Sequence, residues 1–150
     1  MLPEKEGVLK RLGLSLIFFA GFWGQQNVFA GAFFEADDHF IGGYDPVAYF
    51  TEKQALLGSD EFVHTYEDPA YGSTQIKFKS KANLNKFTQN PKKYLPQFNG
   101  WCAYAVLYGS KAEVDPKTFK LIEGKLYLFY NRKGLFSGGN TLKKWNKKAK

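Results

Sequence analysis

Apolar and polar residues alternate along two stretches of the chain with the period of a β-strand. Residues 74–79 alternate in this way, and the aromatic and β-branched residues 62–66 precede them across a turn rich in Pro and Gly. Residues 119–130 form a second such stretch, interrupted by the turn pair Glu123-Gly124. Because successive side chains of a strand point to opposite faces, each stretch predicts a half-buried β-hairpin.

Helical spacing appears directly after the first hairpin. Ser80 stands where a helix would begin, since its hydroxyl can accept from a free backbone N–H of the first turn. Leu84 and Phe87 then share a face, and Asn90-Pro91 ends the segment. We therefore predict a short helix from about residue 81 to residue 89.

The remaining segments are shorter. Residues 101–108 are continuously apolar and fit a buried strand or a buried helix; their alanines favour a helix. Residues 141–150 predict a basic helix, residues 31–40 an irregular lead-in, and residues 47–50 a strand or a single turn. The whole pattern predicts an α+β fold, a small single domain of two β-hairpins with two or three short helices.

The first thirty residues resemble a secretory signal peptide. Lys10 and Arg11 precede an apolar run of about a dozen residues (12–23), which is shorter than the roughly 20 residues that cross a bilayer. Small or modest side chains precede a cut after Ala30. We expect residues 1–30 to be removed and residues 31–150 to form an exported domain, periplasmic or secreted; an uncleaved membrane anchor is the alternative.

Charge and aromatic content narrow the class of protein. Aromatic residues make up 18% of the chain, which supplies a packed core and argues against wholesale disorder. Residues 31–150 carry 18 basic and 12 acidic residues, a net charge of +6. The basic residues cluster only at the C-terminus, at Lys143, Lys144, Lys147, Lys148 and Lys150. We interpret this cluster as a solvated helix face and tail, with contact to an anionic surface such as a membrane as the alternative, and we expect no nucleic-acid partner.

The candidate chemistry centres on one thiol and two imidazoles. Cys102 is the only cysteine, so it is buried and inert, paired with another chain, or chemically useful. The sequence has no G-x-S-x-G, P-loop or H-E-x-x-H motif, and a nucleophilic pair of Cys102 and His64 would lack an orienting group. A thiolate and an imidazole are, however, good ligands for copper or zinc. Asp45, Tyr44 or Asp115 would have to complete such a site.

Several motifs taken together resemble the YHS domain, a family named after a Tyr, a His and a Ser. They are Tyr44-Asp45-Pro46-Val47-Ala48-Tyr49-Phe50, His64, Phe78-Lys79-Ser80, Asn90-Pro91-Lys92-Lys93-Tyr94, Gly100-Trp101-Cys102-Ala103-Tyr104-Ala105, Asp115-Pro116 and Gly124-Lys125-Leu126-Tyr127-Leu128. The resemblance covers about residues 41–130 and is closest to the longer, exported members. It places the namesake residues at Tyr44, His64 and Ser80.

The resemblance implies a domain found in metal-handling contexts, with metal held by cysteines of a Phe-Cys-Ser-x-x-Cys pattern. This chain has Phe78-Lys79-Ser80-Lys81-Ala82-Asn83 there, so both cysteines are absent. We therefore expect an exported YHS-type binding or interaction module without a catalytic role, whose partner is an envelope protein. The alternative is weak copper or zinc binding through His64 and Cys102, helped by Asp45 or Tyr44.

Overall fold

The computed structural model describes residues 32–132 and 139–148, and the predicted signal peptide (residues 1–30) lies outside these ranges. The α+β prediction is confirmed, because the described residues form five α-helices and four two-stranded antiparallel sheets. The strands are β1 (Glu35–Ala36), β2 (His39–Phe40), β3 (Ser59–Asp68), β4 (Gly72–Phe78), β5 (Asp115–Ile122), β6 (Lys125–Phe129), β7 (Asn131–Arg132) and β8 (Gly139–Asn140). The α-helices are α1 (Ala48–Thr51), α2 (Lys81–Gln89), α3 (Pro91–Tyr94), α4 (Ala103–Val106) and α5 (Thr141–Lys148). Short 3₁₀ helices span Ile41–Gly43 and Gln97–Gly100.

Strands β3 and β4 form the first predicted hairpin. His64 lies opposite Ile76, and the register shifts between Ser59 and Val63. Along β4 the apolar side chains Ile76 and Phe78 are fully buried, whereas Gln75 is exposed. The alternation in the sequence therefore indicates a sheet that packs one of its faces against the core.

Strands β5 and β6 form the second predicted hairpin. Glu123 and Gly124 connect them with φ values of +50° and +72°. Two successive positive φ values define a type I′ turn, whose twist matches that of the flanking strands. Leu126 and Leu128 are fully buried, as their period of two predicts.

The number of helices exceeds the two or three that were expected because α1, α3 and α4 are single turns of four residues. The α4 prediction was too long: within residues 101–108 only Ala103–Val106 are helical. The Cys102 N–H donates to the Ala112 carbonyl at 3.0 Å, and Gly109 has a φ of +70°. The chain therefore folds back at both ends of the apolar run, which leaves room for one turn only.

The expectation of an irregular lead-in at residues 31–40 was wrong in part. β1 and β2 pair across Asp37 and Asp38, both with positive φ (+52° and +58°), which short polar side chains tolerate best. Phe33 and Phe34 are buried just before this ribbon. The lead-in is consequently part of the core.

The core is a single cluster of apolar side chains contributed by the lead-in, both hairpins and the short helices. Its buried members are Phe33, Phe34, Phe40, Ile41, Val47, Tyr49, Ile76, Phe78, Phe87, Tyr94, Leu126 and Leu128. Many of the rings meet edge to face, as aromatic quadrupoles prefer. No helix within residues 32–132 and 139–148 combines the length and the apolar character needed to cross a bilayer.

Candidate functional site

Asp45, from the Tyr-Asp-Pro motif, is completely buried and accepts four hydrogen bonds. Its Oδ1 accepts from the backbone N–H groups of Val47 (2.8 Å) and Ala48 (3.3 Å). Its Oδ2 accepts from the backbone N–H of Lys79 (2.9 Å) and from Nδ2 of Asn83 (2.7 Å). The carboxylate thus joins the start of α1 to the junction of β4 and α2. With both oxygens engaged, Asp45 has no free lone pair aimed at a ligand.

Tyr44 and Tyr49 flank this carboxylate in sequence. Tyr44 is half-buried, and it forms an isolated antiparallel bridge with Leu57. Tyr49 is fully buried, and its hydroxyl donates to the Pro116 carbonyl at 2.9 Å. Burial, and then the neighbouring Tyr44, Asp115 and Asp45, raise the pKa of the Tyr49 hydroxyl far above its ordinary value of 10.0. Tyr49 therefore stays neutral and fixes α1 against β5.

Ser80 caps α2, as the sequence predicted. Its backbone is extended (φ −157°, ψ +159°), and its Oγ accepts from the Asn83 N–H at 3.2 Å. Asn83 also binds Asp45, so the cap and the buried carboxylate share one partner. Ser80 thus has a structural role in this fold.

His64 lies on the core-facing side of β3. It is half-buried, and its ring meets the ring of Phe87 at 6.1 Å between centroids with an interplanar angle of 64°. Phe62 and Tyr66 occupy the same face, two residues to either side. These contacts are those of a packing residue at the edge of the core.

Cys102 is fully buried at the start of α4. Its Sγ accepts from the Tyr130 backbone N–H at 3.3 Å and lies 3.5 Å from the Thr141 Oγ1. Thr141 in turn donates to the Tyr130 carbonyl at 2.9 Å. The thiol therefore ties α4 to the end of β6 and to the start of α5.

No group of three or more His, Cys, Asp and Glu side chains in the ranges 32–132 and 139–148 could hold a metal ion. Asp45 and Cys102 are committed to hydrogen bonds within the fold, and Asp115 accepts from Thr118 and Asn131. The metal hypothesis gains no support from these contacts and stays a prediction.

Sequence reasoning identified the lysines of α5 but missed the surface that they form with α4 and the residues after it. We call Tyr104, Leu107, Tyr108, Lys144 and Lys148 the α4–α5 surface. Leu107 and Tyr108 are 57% and 56% exposed, although both are large and apolar. The Tyr108 hydroxyl donates to that of Tyr104 at 3.2 Å, and the Lys148 Nζ lies 4.7 Å from the centre of the Tyr108 ring. Lys148 and Tyr104 lower the pKa of the Tyr108 hydroxyl by hydrogen bonding.

A shallow pocket of about 310 Å³ opens on this surface between α4 and α5. Tyr104, Ala105 and Tyr130 form part of its wall, Lys144 also lines it, and Cys102 lies buried behind it. Its lining is therefore mainly apolar, with one cation. A concave, mainly apolar site with a small number of polar groups is the usual form of a binding pocket in proteins.

Helix α5, which contributes Lys144 to the pocket, carries four lysines and no acidic residue. Lys143, Lys144, Lys147 and Lys148 are exposed, and they form two like-charge pairs at i, i+4. Like-charge pairs at this spacing destabilise a helix slightly, and the helix dipole at its C-terminal end partly offsets the effect. Residues 101–112 and 139–148 contain no Asp or Glu. The absence of Asp and Glu from these two segments is the feature of the sequence that could have indicated the surface.

Comparison with known protein families, with curated proteins and with solved structures finds no match for this chain. The resemblance to the YHS domain consequently rests on the motifs quoted from the sequence.

Proposed function

We propose that this chain is an exported binding or interaction module of the YHS type and has no catalytic role. The single observation that carries the proposal is the α4–α5 surface, where large apolar side chains stand exposed beside a pocket and a row of cations. A surface of this kind costs stability when it faces water, and such patches mark interaction sites. We infer that the module acts through it.

The contacts of the motif residues support the same conclusion. Asp45 and Ser80 bind backbone groups, and Tyr49 binds the Pro116 carbonyl. These residues hold α1, α2 and the two hairpins together, so the motif encodes a scaffold. Since a scaffold motif supplies no specificity by itself, we assign recognition to surface residues elsewhere.

Site-specific photo-crosslinking in the source cells tests this function. A photoreactive phenylalanine analogue replaces Leu107, and the matched control carries it at Thr88, which is exposed on α2. We expect light-dependent adducts of discrete mass from position 107 in the envelope fraction, and none from position 88. Equal adducts from both positions, or none from position 107, would contradict the proposal.

A further inference from the structure

We propose that the α4–α5 surface binds an acidic polypeptide segment that inserts an aromatic or large apolar side chain into the pocket. This inference rests on the proposed function and names its class of partner. Three independent features of the surface converge on it, namely its charge, its concavity and its exposed apolar rim.

Charge complementarity selects an anionic partner. Lys144 lines the pocket, and Lys143, Lys147 and Lys148 are exposed on the same helix, so α5 presents four positive charges and no negative one. A field of one sign attracts opposite charge and increases the rate of encounter. Lys144 lines the pocket itself, so a carboxylate of the partner would reach its ammonium group.

The concave shape of the pocket favours a polypeptide over a membrane as the binding partner. The pocket lies between two helices and has about 310 Å³, a volume that suits a single large side chain. Proteins that bind a lipid surface instead use protruding side chains that enter the headgroup layer. Side chains that fill such pockets dominate the energy of protein–protein interfaces, with the surrounding polar contacts excluding water.

The exposed rim completes the site. Leu107 and Tyr108 follow α4 and stand at the surface, and Tyr108 is held by Tyr104 and Lys148. The aromatic pair is therefore ordered before a partner arrives, which lowers the entropy cost of binding. Tyrosine also combines a large contact area with few rotatable bonds.

The probe is a random copolymer of glutamate and tyrosine, compared with polyglutamate, both added to the full-length chain at low salt. We expect the copolymer to bind at least tenfold more tightly, and both affinities to fall when salt is raised. Lys144→Glu should weaken copolymer binding about tenfold, whereas Lys86→Glu on α2, the matched control, should change it less than twofold. Ala105→Trp, which fills the pocket, should remove the preference for the copolymer over polyglutamate.

Each alternative outcome overturns the inference. Equal affinity for the two polymers would show that the pocket does not contribute to binding. Equal losses of copolymer affinity in Lys144→Glu and Lys86→Glu would show that binding depends only on the net charge of the protein. Binding to vesicles of anionic phospholipid without binding to the copolymer would assign the surface to a membrane, and self-association measured by sedimentation would assign it to a second copy. If Ala105→Trp does not fold, Leu107→Ser replaces it and should lower copolymer affinity more than polyglutamate affinity. Adducts at position 107 with no copolymer binding would refute this partner class while leaving the proposed function intact.

Discussion

The Asp45 side chain holds α1, the β3–β4 hairpin and α2 together. Its carboxylate is buried and accepts four hydrogen bonds, three of them from backbone N–H groups. Hydrogen bonds to a charged acceptor contribute about 1.5–3 kcal/mol each, and unpaired buried donors cost a comparable amount. Both oxygens of the buried carboxylate are thus hydrogen-bonded, and removing an acceptor would leave buried backbone donors unpaired.

Asp45→Asn is expected to reduce the free energy of unfolding by about 2–4 kcal/mol, because an amide group would face donors where an oxygen now accepts. Urea denaturation followed by circular dichroism measures the loss. Asp68→Asn is the control, since the Asp68 carboxylate accepts from Ala70 in an exposed turn, and it should cost less than about 1 kcal/mol. Equal losses of unfolding free energy in both variants would show that the buried hydrogen bonds of Asp45 contribute no more to stability than the exposed one of Asp68.

Tyr49 should make stability depend on pH in the alkaline range. Burial raises the pKa of its hydroxyl in the folded protein, whereas in the unfolded chain the group ionises near its ordinary value of 10.0. The unfolded state therefore binds fewer protons above about pH 10, and stability must fall there by up to about 1.4 kcal/mol per pH unit. Below that pH the contribution is fully present.

The variant Tyr49→Phe separates this effect from that of the other tyrosines. It should be about 1 kcal/mol less stable than the parent chain at pH 8, because the Pro116 carbonyl loses its donor. The difference should shrink to near zero by about pH 11, since only the parent then suffers ionisation of Tyr49 on unfolding. Urea titrations at several pH values provide the test, and a difference that stays constant with pH would contradict it.

At the scale of elements, the helix cap at Ser80 carries the clearest expectation. Ser80→Ala removes the acceptor of the Asn83 N–H and should cost about 1 kcal/mol, while Ser80→Gly should cost only a few tenths. Equilibrium unfolding of both variants measures these values. Thr88→Ala is a suitable control near the other end of α2, where the side chain is exposed and bonds only to the Asn85 carbonyl. A neutral Ser80→Ala would mean that packing of Phe87 alone sets the position of the helix.

Elements with a strong local signal were predicted from the sequence. Both hairpins and α2 follow from alternation, turn pairs and a capping serine, all of which act within a few residues. The α4 segment was predicted too long because its ends are set by a distant contact, the hydrogen bond from Cys102 to Ala112, which no local pattern encodes. The ribbon of residues 35–40 was missed for a related reason: two aspartates form its turn, in place of the usual Asn-Gly pair.

The candidate site was less predictable than the fold. Asp45 was considered as one residue that could complete an alternative metal site, whereas its hydrogen-bond partners Lys79 and Asn83, which stand 34 and 38 residues away, are visible only in the fold. The α4–α5 surface joins residues 104–108 to residues 144–148, which only the tertiary fold brings together. In both cases the sequence indicated which chemical groups are present, and contacts between residues far apart in the chain determine their roles.

At the scale of the whole molecule, the core includes side chains that lie only a few residues after the predicted signal-peptide cut. Phe33 and Phe34 are buried, and Phe33 meets the rings of Phe40, Tyr66 and Tyr71. The Phe34 N–H donates to the Asn99 carbonyl at 2.9 Å. A cut after Ala30 would preserve these contacts, whereas a cut four residues later would remove them.

A chain that starts at Gly31 is therefore expected to unfold at the same urea concentration as the full-length chain. A chain that starts at Glu35 should lose at least about 3 kcal/mol, because the loss of even one buried Phe side chain costs that much and the surrounding core cannot close the gap. Since a small domain has only about 5–15 kcal/mol of stability, this truncation should bring it near the unfolding threshold at 37 °C. Phe33→Ala in the full-length chain should reproduce much of the loss, whereas Val63→Ala, at a partly exposed position on β3, should cost less than about 1 kcal/mol. Equal stability of the two truncated chains would show that the lead-in is not part of the folding unit and would remove the constraint that it places on the cleavage site.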